Sequence, residues 1–291
     1  MREKETWSHC EIDVGEVRLH CVTQGKGPLV VLLHGFPEFW YSWRYQIPYL
    51  AKRFRVVAPD MRGYNLSDKP PHVSDYSLNK LTGDVKGLIE ALGETDAHVV
   101  GHDWGGAVAW SFAMAYPEYV AKLAVLNAPH PAVFAKNILS NPRQMMRSWY
   151  MFFFQVPVLP ELLLKSMGGY VLKRSFTDWA IDKEAFSADD LDALATAAGK
   201  PGALTGGMNY YRAMMRNPRA LSMMRSAAVP RIKSPTLLIW AEDDRALGKE
   251  LTFGLEPYFE NGITVKYIPD CSHWVQQEQP DVVNDMLGEF L

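Results

Sequence analysis

The chain is poor in the features that mark most specialised protein classes. It has only three cysteines in 291 residues, Cys10, Cys21 and Cys271. They lack metal-ligand spacing, and an odd, sparse set suits reduced thiols in a cytoplasmic protein rather than a disulfide scaffold. There is no excess of positive charge: 30 Lys and Arg against 33 Asp and Glu leave a net −3. That balance gives no electrostatic footprint for nucleic acid. No apolar run approaches the roughly 18 residues that would suggest a membrane span. The stretch Met1 to Ser8 is polar and charged, without the apolar centre of a secretory signal. Internal repeats, low-complexity tracts and metal or cofactor motifs are also missing, so we expect neither metal nor cofactor. The ordinary features are 48% hydrophobic and 22% charged residues, which fit a globular protein with one large domain or a core carrying an insert.

The patterning favours the second. Leu29 to Leu33 is a continuous apolar run of the kind expected from a strand buried on both faces. Phe54 to Ala58, Val99-Val100 and Leu123 to Leu126 continue the series. Between them Leu78, Leu81, Val85, Leu88, Ile89 and Leu92 recur at helical spacing, and Gly93 supplies a stop. Alternating strand and helix predicts an α/β class with a mostly parallel sheet flanked by helices. After Asn127-Ala128-Pro129 the strand pattern ceases. Residues 131–230 read as helical and hold nine of the thirteen methionines. Strand signals return at Thr236 to Trp240 and Thr264 to Ile268, before an amphipathic end from Val282 to Leu291. We expect a core formed by residues 1–130 and 231–291, with 131–230 as an inserted helical cap. Such an insert would sit over the carboxyl ends of the strands, where open sheets bind ligands.

The most telling absence is a serine. Gly101-His102-Asp103-Trp104-Gly105-Gly106 has the form of a nucleophile elbow, a sharp strand-to-helix turn that thrusts its middle side chain above the sheet. Here that residue is Asp103, which nearly excludes a serine esterase. A carboxylate attacks esters poorly but attacks sp3 carbon bearing a leaving group, giving an alkyl ester that water must cleave. The following amide, of Trp104, and one from the loop His34-Gly35-Phe36-Pro37, at Phe36, are the expected oxyanion-hole donors. Pro37 restricts Phe36 and helps aim its N–H. His273, after the last strand, is the candidate base for the water. Its orienting acid belongs to Glu242-Asp243-Asp244. Residue physics favours Asp244 with Asp243 second, without deciding between them. The order nucleophile, acid, histidine is that of α/β-hydrolases. His34 and His102 read as residues that shape these loops.

His34 to Glu38, Arg62-Gly63-Tyr64, Gly101 to Gly106, Asn127-Ala128-Pro129, Ala241 to Asp244 and Cys271-Ser272-His273-Trp274 together resemble the epoxide hydrolases of the α/β-hydrolase superfamily, over nearly the whole chain. One departure is Ser272, where glycine usually follows the cysteine. The resemblance implies Asp244 as the orienting acid. It also implies two tyrosines that donate to the epoxide oxygen. Trp149 to Pro157 matches the surroundings of the first, giving Tyr150. Asn209-Tyr210-Tyr211-Arg212 matches those of the second, giving Tyr211, with Tyr210 directed elsewhere. His34, Pro37, Trp149 and Phe153 are expected around the substrate. The implied partners are a lipophilic epoxide, aryl or alkyl, and water; the oligomeric state stays open. A haloalkane dehalogenase would share Asp103 and His273 but needs halide-binding N–H donors, for which Trp104 with Trp149 or Trp179 are candidates. A fluoroacetate-type dehalogenase would carry arginine where Trp104 stands. A non-catalytic ligand-binding protein is the alternative from another class.

Overall fold

The computed structural model describes residues 7–217 and 229–291. The expected polar start at Met1 and the last part of the helical stretch, 218–228, lie outside the described residues. The centre is an eight-stranded sheet in the order β1-β2-β4-β3-β5-β6-β7-β8. The strands are β1 (Ser8–Asp13), β2 (Arg18–Gln24), β3 (Leu29–Leu33), β4 (Arg55–Pro59), β5 (Ala97–His102), β6 (Val120–Leu126), β7 (Thr236–Ala241) and β8 (Thr264–Ile268). From β4 to β8 every pairing is parallel, whereas β1 and β2 form an antiparallel margin. All residues of β3 and β7 are buried, as unbroken apolar strands covered on both faces must be.

The expected parallel strands all form. β1 and β2 are additional, and their composition explains why no apolar run announced them. β1, at the sheet edge, is polar and half exposed. β2 buries His20, whose Nδ1 lies 2.7 Å from Asp60 Oδ2.

Helices α1 (Gln46–Leu50), α2 (Leu78–Ala91) and α3 (Trp104–Ala115) belong to this layered core, with the C-terminal helix Pro280–Phe290. The repeat Leu81, Val85, Leu88 and Ile89 is the buried stripe of α2. Between β6 and β7 the described residues form α4 (Pro131–Ser140), α5 (Pro142–Arg147), α6 (Trp149–Phe153), α7 (Leu159–Trp179), α8 (Ala188–Gly199) and α9 (Ala203–Arg216), without a strand. α7 is broken in the middle, where Ser166 to Gly169 leave helical geometry. α9 lies against the loop after β4 with almost no side chain between. A Cβ added to Gly206 would stand 2.5 Å from the Gly63 carbonyl oxygen, so only a bare Cα permits this approach.

Candidate active site

The end of β5 runs directly into α3, and the joint is tight. A Cβ on Gly101 would meet the Gly105 carbonyl oxygen at 2.3 Å, and one on Gly105 would meet that of Leu33 at 2.1 Å. Between them Asp103 adopts φ 50° and ψ −118°, outside the relaxed regions for an L-residue. Strain of this kind costs about 1–3 kcal/mol and persists only where surrounding packing enforces it. Its effect is to project the carboxylate off the end of the sheet at the start of α3. Trp104 is the first helical residue, so its N–H has no intrahelical acceptor.

The two carboxylate oxygens of Asp103 have different neighbours. Oδ1 accepts a 2.9 Å hydrogen bond from the Phe36 N–H. Oδ2 lies 3.4 Å from His273 Nε2. The other ring nitrogen, Nδ1, is 2.6 Å from Asp244 Oδ2. Asp244 is itself held firmly. Its Oδ1 accepts the N–H groups of Ala246 at 2.7 Å and Leu247 at 2.9 Å, and its Oδ2 accepts Asn127 Nδ2 at 2.8 Å. Asn127 also takes the Ala241 N–H on its own Oδ1, at 2.9 Å. It thus ties the ends of β6 and β7 to the acid. Asp243 is exposed, so burial and hydrogen bonding separate two neighbours between which residue physics alone did not decide.

A second buried chain lies behind His273. Glu38 Oε2 accepts the Gly35 N–H at 3.0 Å and lies 2.9 Å from His102 Nδ1. His102 Nε2 reaches the His273 carbonyl at 2.8 Å. His102 therefore links the loop after β3, the elbow and the histidine loop. Sequence reasoning placed Glu38, His102 and Asn127 in the right motifs but gave Glu38 and Asn127 no role. The signal for Asn127 is a polar residue at the end of an apolar strand, whereas Glu38 lies in the loop after β3 and its partner His102 is remote in sequence.

The electrostatics follow from burial and opposed charge. Burial alone would raise the Asp103 pKa, but the facing His273 holds it below the ordinary carboxylate value. Burial pulls the His273 pKa down, yet the Asp244 and Asp103 carboxylates together push it well above the usual histidine value. Both tyrosines are raised far above the ordinary phenol value, chiefly by burial and then by the Asp103 charge. Both phenols therefore hold their protons at neutral pH.

Above Asp103 is an open cavity enclosing about 590 Å³ of empty space, part of it continuous with solvent. Asp103, Trp104, Tyr150 and Tyr211 line it together, with apolar walls from Phe134, Met151 and Met214 among others. Tyr150 comes from α6 and Tyr211 from α9, their rings edge-to-face at 5.9 Å. Tyr211 also packs against Trp104 at 4.9 Å and Phe154 at 5.1 Å. Tyr210, one residue earlier, turns away and donates its hydroxyl to the Arg62 carbonyl at 2.8 Å.

The four expected pocket residues do not line this cavity. His34 is fully buried beneath the loop, where its Nε2 accepts the Met61 N–H at 3.0 Å. Pro37, joined to Phe36 by a cis peptide, faces a separate small void beside Tyr64 and Ala197. Trp149 is 61% exposed, and Phe153 packs between it and Phe154. Trp149 is turned to the outer side of α6 with Phe152, whereas Phe153 is taken up by packing against its neighbouring rings. Trp179 lies beside His273 and Trp274, also off the cavity wall.

Known proteins resemble this chain in sequence and fold. A family model described as the alpha/beta hydrolase fold matches residues 28–280. "Epoxide hydrolase 1" of Caenorhabditis elegans is 42% identical over 293 residues, covering 99% of this chain and 71% of that protein. Human "Epoxide hydrolase 4" is 39% identical over 292 residues, covering 98% and 79%. The solved structure of a Bacillus megaterium epoxide hydrolase with an inhibitor superposes with a TM-score of 0.89 at 33% identity, covering 97% of this chain and 99% of the other. With its elbow, its parallel sheet and these relatives, the chain belongs to the epoxide hydrolase family within the α/β-hydrolase fold.

Proposed function

We propose that this protein hydrolyses lipophilic epoxides to vicinal diols through a covalent ester on Asp103. In this reading residues 131–230 form a helical cap over a core of 1–130 and 231–291. The observation that carries it is the meeting of Asp103, Tyr150 and Tyr211 on one largely apolar cavity. Asp103 Oδ2 attacks the less hindered or more activated ring carbon. The C–O bond opens, and its electron pair stays on the epoxide oxygen. The two phenols hold that oxygen, and one gives it a proton. Oδ1, already under the Phe36 N–H, becomes the ester carbonyl oxygen.

Esterification removes the Asp103 charge, and with it part of what raises His273. The histidine becomes a better-matched base at the moment it is needed. Its Nε2 takes a proton from water, whose oxygen attacks the ester carbon. The Phe36 and Trp104 amides hold the resulting oxyanion. Collapse breaks the ester C–O bond, and the leaving oxygen takes the proton from His273. The remaining carboxyl proton restores the phenol. No cofactor is required by this sequence of steps.

A halide-releasing reaction would need a second indole beside Trp104, but Trp149 and Trp179 stand off the cavity. Free thiols at Cys10 and Cys21, which face each other across β1 and β2, support a reducing, cytoplasmic setting. The test is incubation with styrene oxide and, separately, 1-bromobutane. Diol without bromide is expected; bromide without diol overturns the reading. A single turnover in 18O-water sharpens it: the label should appear in Asp103 and not in the first diol formed.

A further inference from the structure

The helices that wall the cavity carry a second surface on their outer side. Among the described residues sixteen large apolar side chains are exposed, and eleven of them lie between Met145 and Tyr170. On α6, Tyr150 and Met151 face the cavity while Trp149 and Phe152 face outward, 61% and 51% exposed. On α7, Pro160 and Glu161 are buried while Leu159, Leu162 and Leu163 form an outward stripe at helical spacing. At the break in α7, Met167 is 79% exposed. An apolar stripe turned to water is the reverse of an ordinary surface helix and marks an interaction face.

The exposed charges carried by residues 131–170 are all positive. Lys136, Arg143, Arg147 and Lys165 are exposed, and Arg147 alone of the four stands beside a carboxylate, that of Glu250. The single acid of residues 131–170, Glu161, is buried and committed to Arg212 at 2.8 Å. This cationic segment belongs to a chain of net charge −3. A symmetric contact with a second copy would bring these cations toward one another. Apolar side chains interleaved with exposed cations instead complement a surface with a hydrocarbon interior and anionic headgroups.

We infer that the outer face of α5 to α7 docks on anionic phospholipid bilayers, with Trp149, Phe152 and the α7 leucines entering the headgroup boundary. The inference rests on surface chemistry and stands apart from the reaction proposed above. It is tested by flotation of the full chain with vesicles of phosphatidylcholine alone and of phosphatidylcholine with phosphatidylglycerol. The protein should float with the anionic vesicles, bind the neutral ones about tenfold or more weakly, and be released by salt. Combining Phe152→Ser, Leu162→Ser and Leu163→Ser should cut binding about tenfold or more. Combining Arg143→Gln, Arg147→Gln and Lys165→Gln should remove the preference for anionic lipid. The cation variant decides the matter alone if the serine variant fails to fold, as judged by circular dichroism. Failure to float with either vesicle, equal binding to both, or unchanged binding by the variants overturns the proposal. So does a sedimentation dimer that the serine variant abolishes, since the face would then belong to a second copy.

Discussion

The two sides of the cavity are built from opposite materials. On the sheet side the working groups are charged, buried and fixed by backbone amides: Asp103 by Phe36, and Asp244 by Ala246 and Leu247. On the helical side they are neutral phenols, with Tyr211 held by ring packing against Trp104 and Phe154. The division matches what each side would undergo in the proposed reaction. Asp103 loses its charge and regains it, so its surroundings must be polar and rigid beforehand. The phenols meet a charge that exists only while the ring opens, and an apolar wall strengthens each donated bond at that moment.

The strongest way to break the comparison is to remove the group that the sheet side exists to hold. Asp103→Ala should abolish diol formation and leave no adduct in the intact-protein mass spectrum. His273→Gln should separate the two half-reactions. It is expected to form the ester at near-normal rate and then stall, lowering steady-state turnover by roughly 10²–10⁴-fold, with one substrate mass retained. An absent adduct would mean that His273 serves the first step.

The helical side should fail differently. Tyr211→Phe and Tyr150→Phe should each slow ester formation by roughly 10²–10³-fold in rapid-quench single turnovers, with less effect on ester hydrolysis. Equal slowing of both steps would mean that the phenols act through cavity shape. The electrostatic coupling across the sheet side has a sign that can be read directly. The Asp103 charge raises His273, so Asp103→Asn should lower the pH at which the His273 ring titrates by NMR. In the unaltered protein the raised histidine stabilises the folded state fully below its ordinary value of about 6.5, and that contribution fades as pH climbs through the raised value. The smallest effect belongs to Tyr210→Phe. It should cost about 1–2 kcal/mol in chemical unfolding, from an unsatisfied buried Arg62 carbonyl, and leave diol formation nearly intact.

The legibility of the two sides differed as well. Parallel strands buried on both faces are written as unbroken apolar runs, so β3 and β7 could be read directly, while β8, at the other edge and only partly buried, showed a shorter signal interrupted by Lys266. β1 and β2 could not, since an edge strand and a strand burying His20 lack that signature. The elbow and the histidine loop are local motifs, and Asp103 and His273 were visible in them. Residue physics alone did not decide between Asp244 and Asp243; the family resemblance pointed to Asp244, which the structure buries while leaving Asp243 exposed. On the helical side, proximity in sequence misled: Trp149 and Phe153 lie close to Tyr150 in the chain yet stand off the cavity, Trp149 turned to solvent and Phe153 packed between Trp149 and Phe154. Phe134 and Met214, which do face the cavity, come from helices whose approach depends on the whole chain.

The contact of Gly206 with Gly63 bears on how this cavity can be redesigned. Two bare backbones meet there, five residues before Tyr211 on the same helix. Any added methyl would lift α9 and carry the phenol with it, so volume gained at that crossing would be lost in alignment. Phe134 on α4 offers a wall that can be trimmed or enlarged while α9 stays seated. An engineer seeking room for bulkier substrates should therefore cut into α4 and treat the glycine crossing as a fixed datum.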